Sequence, residues 1–205
     1  MTPLRLAVLI SGRGSNLEAL LKAEAAGQFD ASAKSLNSLA IALVLSNHAE
    51  AGGLQIAKAF GKPRAVLEKP AFSSRSDYDA ALTAVLQQAQ IDWIALAGFD
   101  RILGEPLLSA FPGRILNMHP SLLPKFGGKG MVGQAVHQAV LAAAEQESGC
   151  TVHEVIADVD AGRVLGQARV PVVLGDTPEA LAARVLAQEH LLYPQAIRSH
   201  VLGLL

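Results

Sequence analysis

The sequence predicts an α/β protein with a Rossmann-like, three-layer fold around a mostly parallel central sheet. Short apolar runs alternate along the chain with longer segments of helical periodicity, which is the pattern of βαβ units. Several runs are apolar throughout, as in strands that are buried on both faces of a sheet. The 205 residues suffice for one sizeable core, and no linker or repeat divides them. We therefore expect one domain over residues 1–205.

Composition and charge restrict the classes of function. Hydrophobic residues make up 51% of the chain and charged residues 17%, which indicates a globular protein. The formal net charge of −1 predicts no binding to nucleic acid or to a membrane surface. The single cysteine, Cys150, excludes an internal disulfide. The first apolar run is too short to span a membrane and lacks a signal-peptide cleavage site, so we expect a cytoplasmic protein. We expect it to be a monomer or a homodimer.

A glycine-containing loop follows the first predicted strand, residues 4–10. The loop is Ser11-Gly12-Arg13-Gly14-Ser15-Asn16, and a helical pattern begins after it. Glycines let the backbone approach a ligand, and N–H groups at a helix start favour an anion. Leu17 stands where a dinucleotide fingerprint has its third glycine, and the next strand, residues 39–46, lacks the acidic residue that would hold a ribose. We favour a monophosphate over NAD; an ordinary tight turn is the alternative.

The alternation continues with helices predicted at residues 50–60 and 76–89, the second capped by Ser74, and strands at residues 63–67 and 91–96. After the last of these strands, the side chains of Phe99, Ile102 and Leu103 could line a flat apolar slot. A loop that only packs against the sheet is the simpler interpretation, and from the residues alone we prefer it.

The central feature of the sequence is a polar pair at the end of a strand that includes Ile115 and Leu116. Asn117 and His119 are two residues apart, so in an extended segment both side chains face the same side. Open α/β sheets bind ligands at this edge. Pro120 and Pro124 stiffen the following loop. The pair is either catalytic or a capping asparagine beside a structural histidine.

The last third of the chain contains a glycine-rich segment, residues 125–133, which is either a mobile lid or an ordinary surface loop. A helix over 134–147, strands over 150–156 and 164–172, and a helix over 177–200 are predicted after it. We interpret His153 as a core histidine. We interpret Asp158 and Asp160 as turn residues, because no further cluster of ligands supports a metal site.

Taken together, these stretches resemble the folate-dependent formyltransferases, and among them the glycinamide ribonucleotide formyltransferases of purine biosynthesis. The resemblance covers nearly the whole chain. Its most specific stretch is Asn-Met-His-Pro-Ser-Leu-Leu-Pro at residues 117–124, and the N-terminal glycine loop singles out the glycinamide ribonucleotide members. The other matching stretches are residues 96–103, Thr151-Val152-His153, residues 158–162 and Gln188-Glu189-His190.

The resemblance implies a transferase whose co-substrate is 10-formyltetrahydrofolate, with no metal. The implied catalytic residues are Asn117, His119 and Asp160. The N-terminal half is then phosphate-binding, and the C-terminal half is catalytic and folate-binding. The implied ribonucleotide-binding residues are Gly12, Arg13, Gly14, Ser15, Asn16, Leu17, Glu18 and Glu189. The implied folate-binding residues are Arg75, Asp100, Arg101, Ile102, Leu103, Asn117, Ile156, Asp158 and Asp160.

The sequence departs from this family pattern at three places. Asp100 replaces a residue that is apolar in many members, segment 126–133 is longer than usual, and Leu186 replaces a frequently polar residue. Formyltetrahydrofolate hydrolase and methionyl-tRNA formyltransferase are alternatives, but they carry a regulatory and an RNA-binding domain that we do not find in these residues. A catalytically silent nucleotide-binding module is a further alternative, which the intact catalytic residues argue against.

The residue types suit formyl transfer to an amine. The Asn117 amide can donate a hydrogen bond to a tetrahedral oxyanion. His119 can move a proton from the attacking amine to the leaving folate nitrogen. A carboxylate at Asp160 would orient His119 and favour its imidazolium form, which we expect to be populated nearer neutral pH.

Overall fold

The computed structural model describes residues 2–32 and 37–203, and seven strands of these residues form one sheet. The strands are β1 Leu4–Ile10, β2 Leu39–Ser46, β3 Arg64–Val66, β4 Trp93–Leu96, β5 Ile115–His119, β6 Glu147–Glu154 and β7 Val164–Pro171. The helices are α1 Ser15–Ala25, α2 Gly52–Ala59, α3 Arg75–Gln88, α4 Glu105–Ala110, α5 Gln134–Ala142 and α6 Pro178–Val201, with a 3-10 turn at Lys69–Ala71. None of the helices in the described ranges combines the length and the apolar character that a membrane crossing needs.

The sheet has the strand order β3-β2-β1-β4-β5-β6-β7. The strands from β3 to β5 are parallel, whereas β6 is antiparallel to both β5 and β7. The chain leaves β1 toward β2 on one side and returns to β4 on the other, so a topological switch point lies between β1 and β4. Such a switch point is the usual ligand site of an open α/β sheet.

Strand β1 shows why the fold has three layers. Leu6, Val8 and Ile10 pack into a core on one face of the sheet, together with residues of α1 and α6. Ala7 and Leu9 pack into a second core on the other face, together with residues of α3 and α4. Alternate residues of a strand face opposite sides, so a strand covered on both faces is apolar throughout. The predicted fold class is confirmed.

Two local predictions differ from the structure. The predicted helix over 134–147 ends at Ala142, because Ala144 has a left-handed backbone (φ 51°) and the chain then turns into β6. Strand β6 starts at Glu147, which pairs with Pro171 of β7. The strand therefore starts three residues before its predicted start at residue 150. Pairing with β7 overrides the helix-forming composition of this stretch. Helix α4, which Gly104 precedes, was not predicted.

Candidate active site

A cleft of about 660 Å³ opens beside the carboxyl ends of β1, β4 and β5. The loop after β1 forms one end of it and the segment after β4 lies along another part. The glycine-rich segment before α5 and the N-terminal half of α6 complete the walls. The cleft therefore lies where the strand order predicts a ligand.

The loop after β1 is tightly packed against α2. Gly14 precedes α1 with a left-handed backbone (φ 82°), and a Cβ atom on it would lie 2.5 Å from Gly53 Cα. The N–H of Gly53 also donates to the carbonyl oxygen of Gly12, at 3.1 Å. In the described chain no side chain caps α1, so the N–H groups of its first turn are available to an anion.

Helix α6 contributes a buried carboxylate beside this loop. Asn16 Nδ2 donates to Glu189 Oε2 at 2.6 Å, and the side chain of Glu189 lines the cleft although its residue is only 7% exposed. Burial raises the pKa of Glu189, and the hydrogen bond from Asn16 offsets only part of this effect. Asn16 Oδ1 is buried without a partner among the described residues, which leaves one acceptor free.

The predicted catalytic residues come together at the end of β5. His119 Nε2 lies 2.8 Å from the carbonyl oxygen of Phe126 and therefore donates to it, which leaves Nδ1 as the basic nitrogen of the neutral ring. Nδ1 lies 3.5 Å from Asp160 Oδ2. The N–H of Gly128 donates to the same carboxylate oxygen at 2.9 Å, so the glycine-rich segment holds Asp160 in place.

His153 also belongs to this cluster, which its interpretation as a core histidine did not predict. Its antiparallel pairing partner across β5 and β6 is Asn117. His153 Nδ1 donates to the carbonyl oxygen of Glu154 at 2.8 Å, and Nε2 lies 3.1 Å from Asn117 Nδ2 and 3.5 Å from Asp160 Oδ1. The side chain is buried, as a core histidine would be, but it touches two catalytic candidates. The signal in the sequence was its place in the matching stretch Thr151-Val152-His153.

Burial dominates the electrostatics of His119. It lowers the pKa of His119 below 6.5, although the hydrogen bond to Phe126 and the charge of Asp160 act in the opposite direction. Burial also opposes ionisation of Asp160. Contacts with His153, the N–H of Gly128 and the charge of His119 nevertheless hold the pKa of Asp160 below its usual value. The charge of Asp160 has the expected effect, because it raises the pKa of His119, but burial of the ring outweighs it.

The segment after β4 supplies a wall of the cleft with several apolar side chains. Phe99, Arg101, Ile102 and Leu103 all line the cleft, so the interpretation as a loop that only packs was too narrow. The guanidinium of Arg101 lies 3.9 Å from the centre of the Tyr78 ring. Arg75 Nη2 donates to the carbonyl oxygen of Leu103 at 2.6 Å, which supports the segment from behind.

Twelve of the predicted site residues line the cleft. They are Arg13, Ser15, Asn16, Asp100, Arg101, Ile102, Leu103, Asn117, His119, Ile156, Asp160 and Glu189.

The structure does not bring the other six, Gly12, Gly14, Leu17, Glu18, Arg75 and Asp158, to the cleft lining. The Leu17 side chain is buried in the core, and Glu18 pairs with Lys22 at 2.6 Å on the surface of α1. Gly12 and Gly14 shape the loop after β1, and Arg75 supports the segment after β4 through its hydrogen bond to Leu103. These three residues therefore affect the cleft only through the residues that line it.

Sequence reasoning missed His137 as well. This residue of α5 lines the cleft, is buried, and has no hydrogen-bond partner for Nδ1 in the described residues. Burial and the nearby His119 lower the pKa of His137. The residues from Gly128 to Gly133 also line the cleft, so the glycine-rich segment forms one of its walls. Across residues 2–32 and 37–203, no group of three or more His, Cys, Asp or Glu could hold a metal ion.

Comparisons with known sequences agree on one family. The formyl transferase family model matches residues 4–197. Trifunctional purine biosynthetic protein adenosine-3 of Gallus gallus is 43% identical over 195 residues, which span 95% of this chain but only 18% of that relative's length. Phosphoribosylglycinamide formyltransferase of Haemophilus influenzae is 39% identical over 194 residues, which span 95% of this chain and 85% of the relative.

Solved structures lead to the same family. Glycinamide ribonucleotide transformylase 1 from Symbiobacterium toebii has a TM-score of 0.90 and 42% identity, with 98% of this chain and 89% of that chain covered. Phosphoribosylglycinamide formyltransferase from Brucella melitensis has a TM-score of 0.87 and 42% identity, and the match covers 100% of this chain and 98% of that chain. The chain therefore belongs to the formyl transferase family and, within it, to the phosphoribosylglycinamide formyltransferases.

Proposed function

We propose that this protein transfers the formyl group of 10-formyltetrahydrofolate to the primary amine of glycinamide ribonucleotide, in purine biosynthesis. The observation that carries the proposal is the cluster of Asn117, His119 and Asp160 in a cleft with a glycine loop at one end and an apolar wall at the other. The relatives that the chain spans almost completely bear the name of this activity.

The first chemical step needs a donor for an oxyanion. The amine nitrogen attacks the formyl carbon, and the π electrons of the carbonyl group move to its oxygen. One N–H of Asn117 Nδ2 is directed to His153, and the second is free to donate to this oxygen. Loss of such a donor lowers the rate by a factor of ~10²–10³ in other enzymes. His153 is thus a positioning residue for the Asn117 amide.

The second requirement is a proton carrier. The nitrogen that attacks becomes positively charged and must lose a proton, while the folate nitrogen must gain one as its bond to the formyl carbon breaks. Neutral His119 can accept the proton on Nδ1 and return it, because Nε2 already carries a hydrogen. Asp160, 3.5 Å from Nδ1, stabilises the imidazolium that exists between the two transfers. The products are tetrahydrofolate and the formylated amine.

The two ends of the cleft suit the two substrates. The first turn of α1 offers N–H groups to the phosphate of the ribonucleotide, and Arg13 adds a positive charge. The buried carboxylate of Glu189 can accept hydrogen bonds from the ribose hydroxyls. Ile102 and Leu103 present apolar surface to the flat ring system of the folate.

One assay tests this function. Purified protein is mixed with glycinamide ribonucleotide and 10-formyltetrahydrofolate, the folate product is followed by absorbance, and the ribonucleotide product is identified by mass spectrometry. We expect equal amounts of tetrahydrofolate and formylated ribonucleotide, and no turnover without the ribonucleotide. Formate release without a formylated product would instead indicate hydrolysis. A parallel reaction contains methionyl-tRNA in place of the ribonucleotide, and formylation of the tRNA alone would assign the protein to the tRNA branch.

A further inference from the structure

Three residues beside the cleft close a ring of hydrogen bonds, which we call the floor ring. The N–H of Asp100 donates to Ser11 Oγ at 2.9 Å. The Ser11 hydroxyl donates to Asn47 Oδ1 at 2.6 Å, and Asn47 Nδ2 donates to Asp100 Oδ1 at 2.7 Å. These residues follow β4, β1 and β2, which are neighbours in the sheet. The floor ring therefore joins the ends of three adjacent strands.

Further contacts surround the floor ring. The N–H of Ser11 donates to the carbonyl oxygen of Gly98 at 3.1 Å, and Asn47 is buried. Asp100 Oδ2 lies 3.0 Å from His48 Nε2 in a pair that is about half exposed, with side-chain exposures of 54% and 53%. Burial opposes ionisation of Asp100, but hydrogen bonds from His48 and Asn47 to its carboxylate hold its pKa below the usual value. The ring thus contains an ionised carboxylate, whose hydrogen bonds are stronger than those of neutral groups.

The floor ring connects the two ends of the cleft. Ser11 is the first residue of the glycine loop, and Asp100 lies in the segment that forms the apolar wall. We propose that Asp100 is a positioning residue that ties the phosphate-binding loop to the folate-binding segment through its ring with Ser11 and Asn47. The proposal rests on the proposed function, because that function defines which substrate each end of the cleft binds.

The expected consequence is specific. Without the ring, the loop after β1 and the segment after β4 keep only main-chain contacts such as the bond from Ser11 N–H to the carbonyl oxygen of Gly98, so both substrates meet a less firmly preformed site. Asn117, His119 and Asp160 lie on β5 and on the turn after β6, and none of them is a member of the ring. The chemical step should therefore proceed almost as fast once both substrates are bound.

Two variants break the ring at different atoms. Asp100→Ala removes the carboxylate, and Ser11→Ala removes the hydroxyl. For each we expect KM for both substrates to rise about tenfold, with kcat within about threefold of the wild type. This is the effect of about one lost charge-assisted hydrogen bond in Asp100→Ala and of two lost neutral hydrogen bonds in Ser11→Ala. The double variant should show no larger increase than the stronger single variant, because both substitutions break the same ring.

Two further variants separate the ring from its surroundings. Asp100→Asn keeps an acceptor for Asn47 and the main-chain donor, so we expect a KM increase below about threefold. His48→Ala is the matched control, since it removes the outer partner of Asp100 and leaves all three ring bonds in place. We expect KM to change by less than about twofold in this control. Thermal unfolding of every variant shows whether it is folded.

Three results would overturn the proposal. The first is a KM increase for one substrate only, which would make Asp100 a local contact. The second is a fall in kcat at unchanged KM. The third is a loss of thermal stability with both KM values unchanged, which would make the ring purely structural. Calorimetric titration with each substrate separately compares the affinities of the variants and the wild type without turnover. If the wild type binds both substrates but transfers no formyl group, the proposed function is refuted, while the role of the ring in binding can still be tested.

Discussion

The Asn117 amide has two N–H bonds, and the structure accounts for one of them, which is directed to His153 Nε2. The second matters mainly when charge develops on the formyl oxygen. We expect Asn117→Ala to lower kcat by a factor on the order of 10² or more and to change KM for either substrate little. Steady-state kinetics with each substrate varied in turn measures both parameters. Near-normal kcat would show that the amide only supports the end of β5.

Asp160 acts on His119 through its negative charge. That charge favours the imidazolium, so its removal in Asp160→Asn should move the pKa of His119 further below 6.5. In the proposed mechanism the neutral ring accepts the proton, so wild-type kcat should fall as the pH drops through this pKa. In the variant the fall should occur at lower pH. We also expect kcat on the plateau to drop by a factor on the order of 10 or more.

An NMR titration of the His119 ring in the wild type and in Asp160→Asn reports the pKa directly, and a pH profile of kcat reports its effect on catalysis. If neither the ring titration nor kcat changes, Asp160 is a turn residue and the catalytic group is reduced to Asn117 and His119.

Glu189 is a buried acid whose folded pKa lies above its ordinary value near 4.5, because burial disfavours its charge. The folded state then binds the proton more tightly than the unfolded state does, so this group destabilises the fold as the pH rises above 4.5. We expect Glu189→Gln to be more stable than the wild type at pH ~8 and equal to it at pH ~4, by urea denaturation. KM for the ribonucleotide should rise, since an amide accepts weaker hydrogen bonds than a carboxylate.

A stability difference of the same size at both pH values would contradict this account of Glu189, because the difference would then come from packing and not from the proton. Unchanged KM would separately remove Glu189 from the ribonucleotide site.

At the scale of elements, the junction of β1, α1 and α2 leaves no room for a side chain at Gly14. Gly14→Ala would place a Cβ atom 2.5 Å from Gly53 Cα and force the loop away from α2. We expect KM for the ribonucleotide to rise severalfold and KM for the folate to change little. Steady-state kinetics with each substrate measures the difference.

Gly61 offers a matched control for this prediction. It has a similar left-handed backbone (φ 67°), but no neighbouring atom lies within 4 Å of the position that a Cβ atom would take there. Gly61→Ala should therefore share the backbone strain of ~1–2 kcal/mol while leaving both KM values unchanged. Equal KM increases in the two variants, or equal loss of affinity for both substrates in Gly14→Ala, would argue against the assignment of the phosphate loop.

At the scale of the whole molecule, the hydroxyl of Tyr193 is one of the polar groups that link α6 to the sheet. Tyr193 is completely buried, and its hydroxyl oxygen lies 2.8 Å from the carbonyl oxygen of Leu96 in β4 and 3.2 Å from that of Leu116 in β5. We expect Tyr193→Phe to lower the free energy of unfolding by ~1–2 kcal/mol, because the carbonyl oxygens lose a buried donor. Urea denaturation measures this loss.

Tyr78 is the control for Tyr193. Its hydroxyl is also buried but has no partner in the described part of the chain, and burial raises the pKa of Tyr78 to about 12. Tyr78→Phe should therefore be neutral within ~0.5 kcal/mol or slightly stabilising. If both substitutions destabilise the protein equally, the hydrogen bonds of Tyr193 do not hold α6 on the sheet.

The candidate site is assembled from distant parts of the chain. The proposed phosphate end lies near residue 14 and the central cluster near residues 117–119 and 153–160, and the carboxylate that we propose for the ribose is at residue 189. The sheet brings them together because β1, β4 and β5 are parallel neighbours, and parallel strands end at one edge. The switch point between β1 and β4 then opens the cleft at that edge.

The sequence by itself determined the fold class, most strands and helices, the glycine loop and the Asn117–His119 pair. These features depend on periodicity and spacing within short segments, which a sequence displays directly. The tertiary structure alone decided the antiparallel pairing that ends α5 early and places His153 beside Asn117. It also decided the direction in which the pKa of His119 shifts, because the pKa of a buried group reflects the balance of burial and charges from residues far apart in the chain.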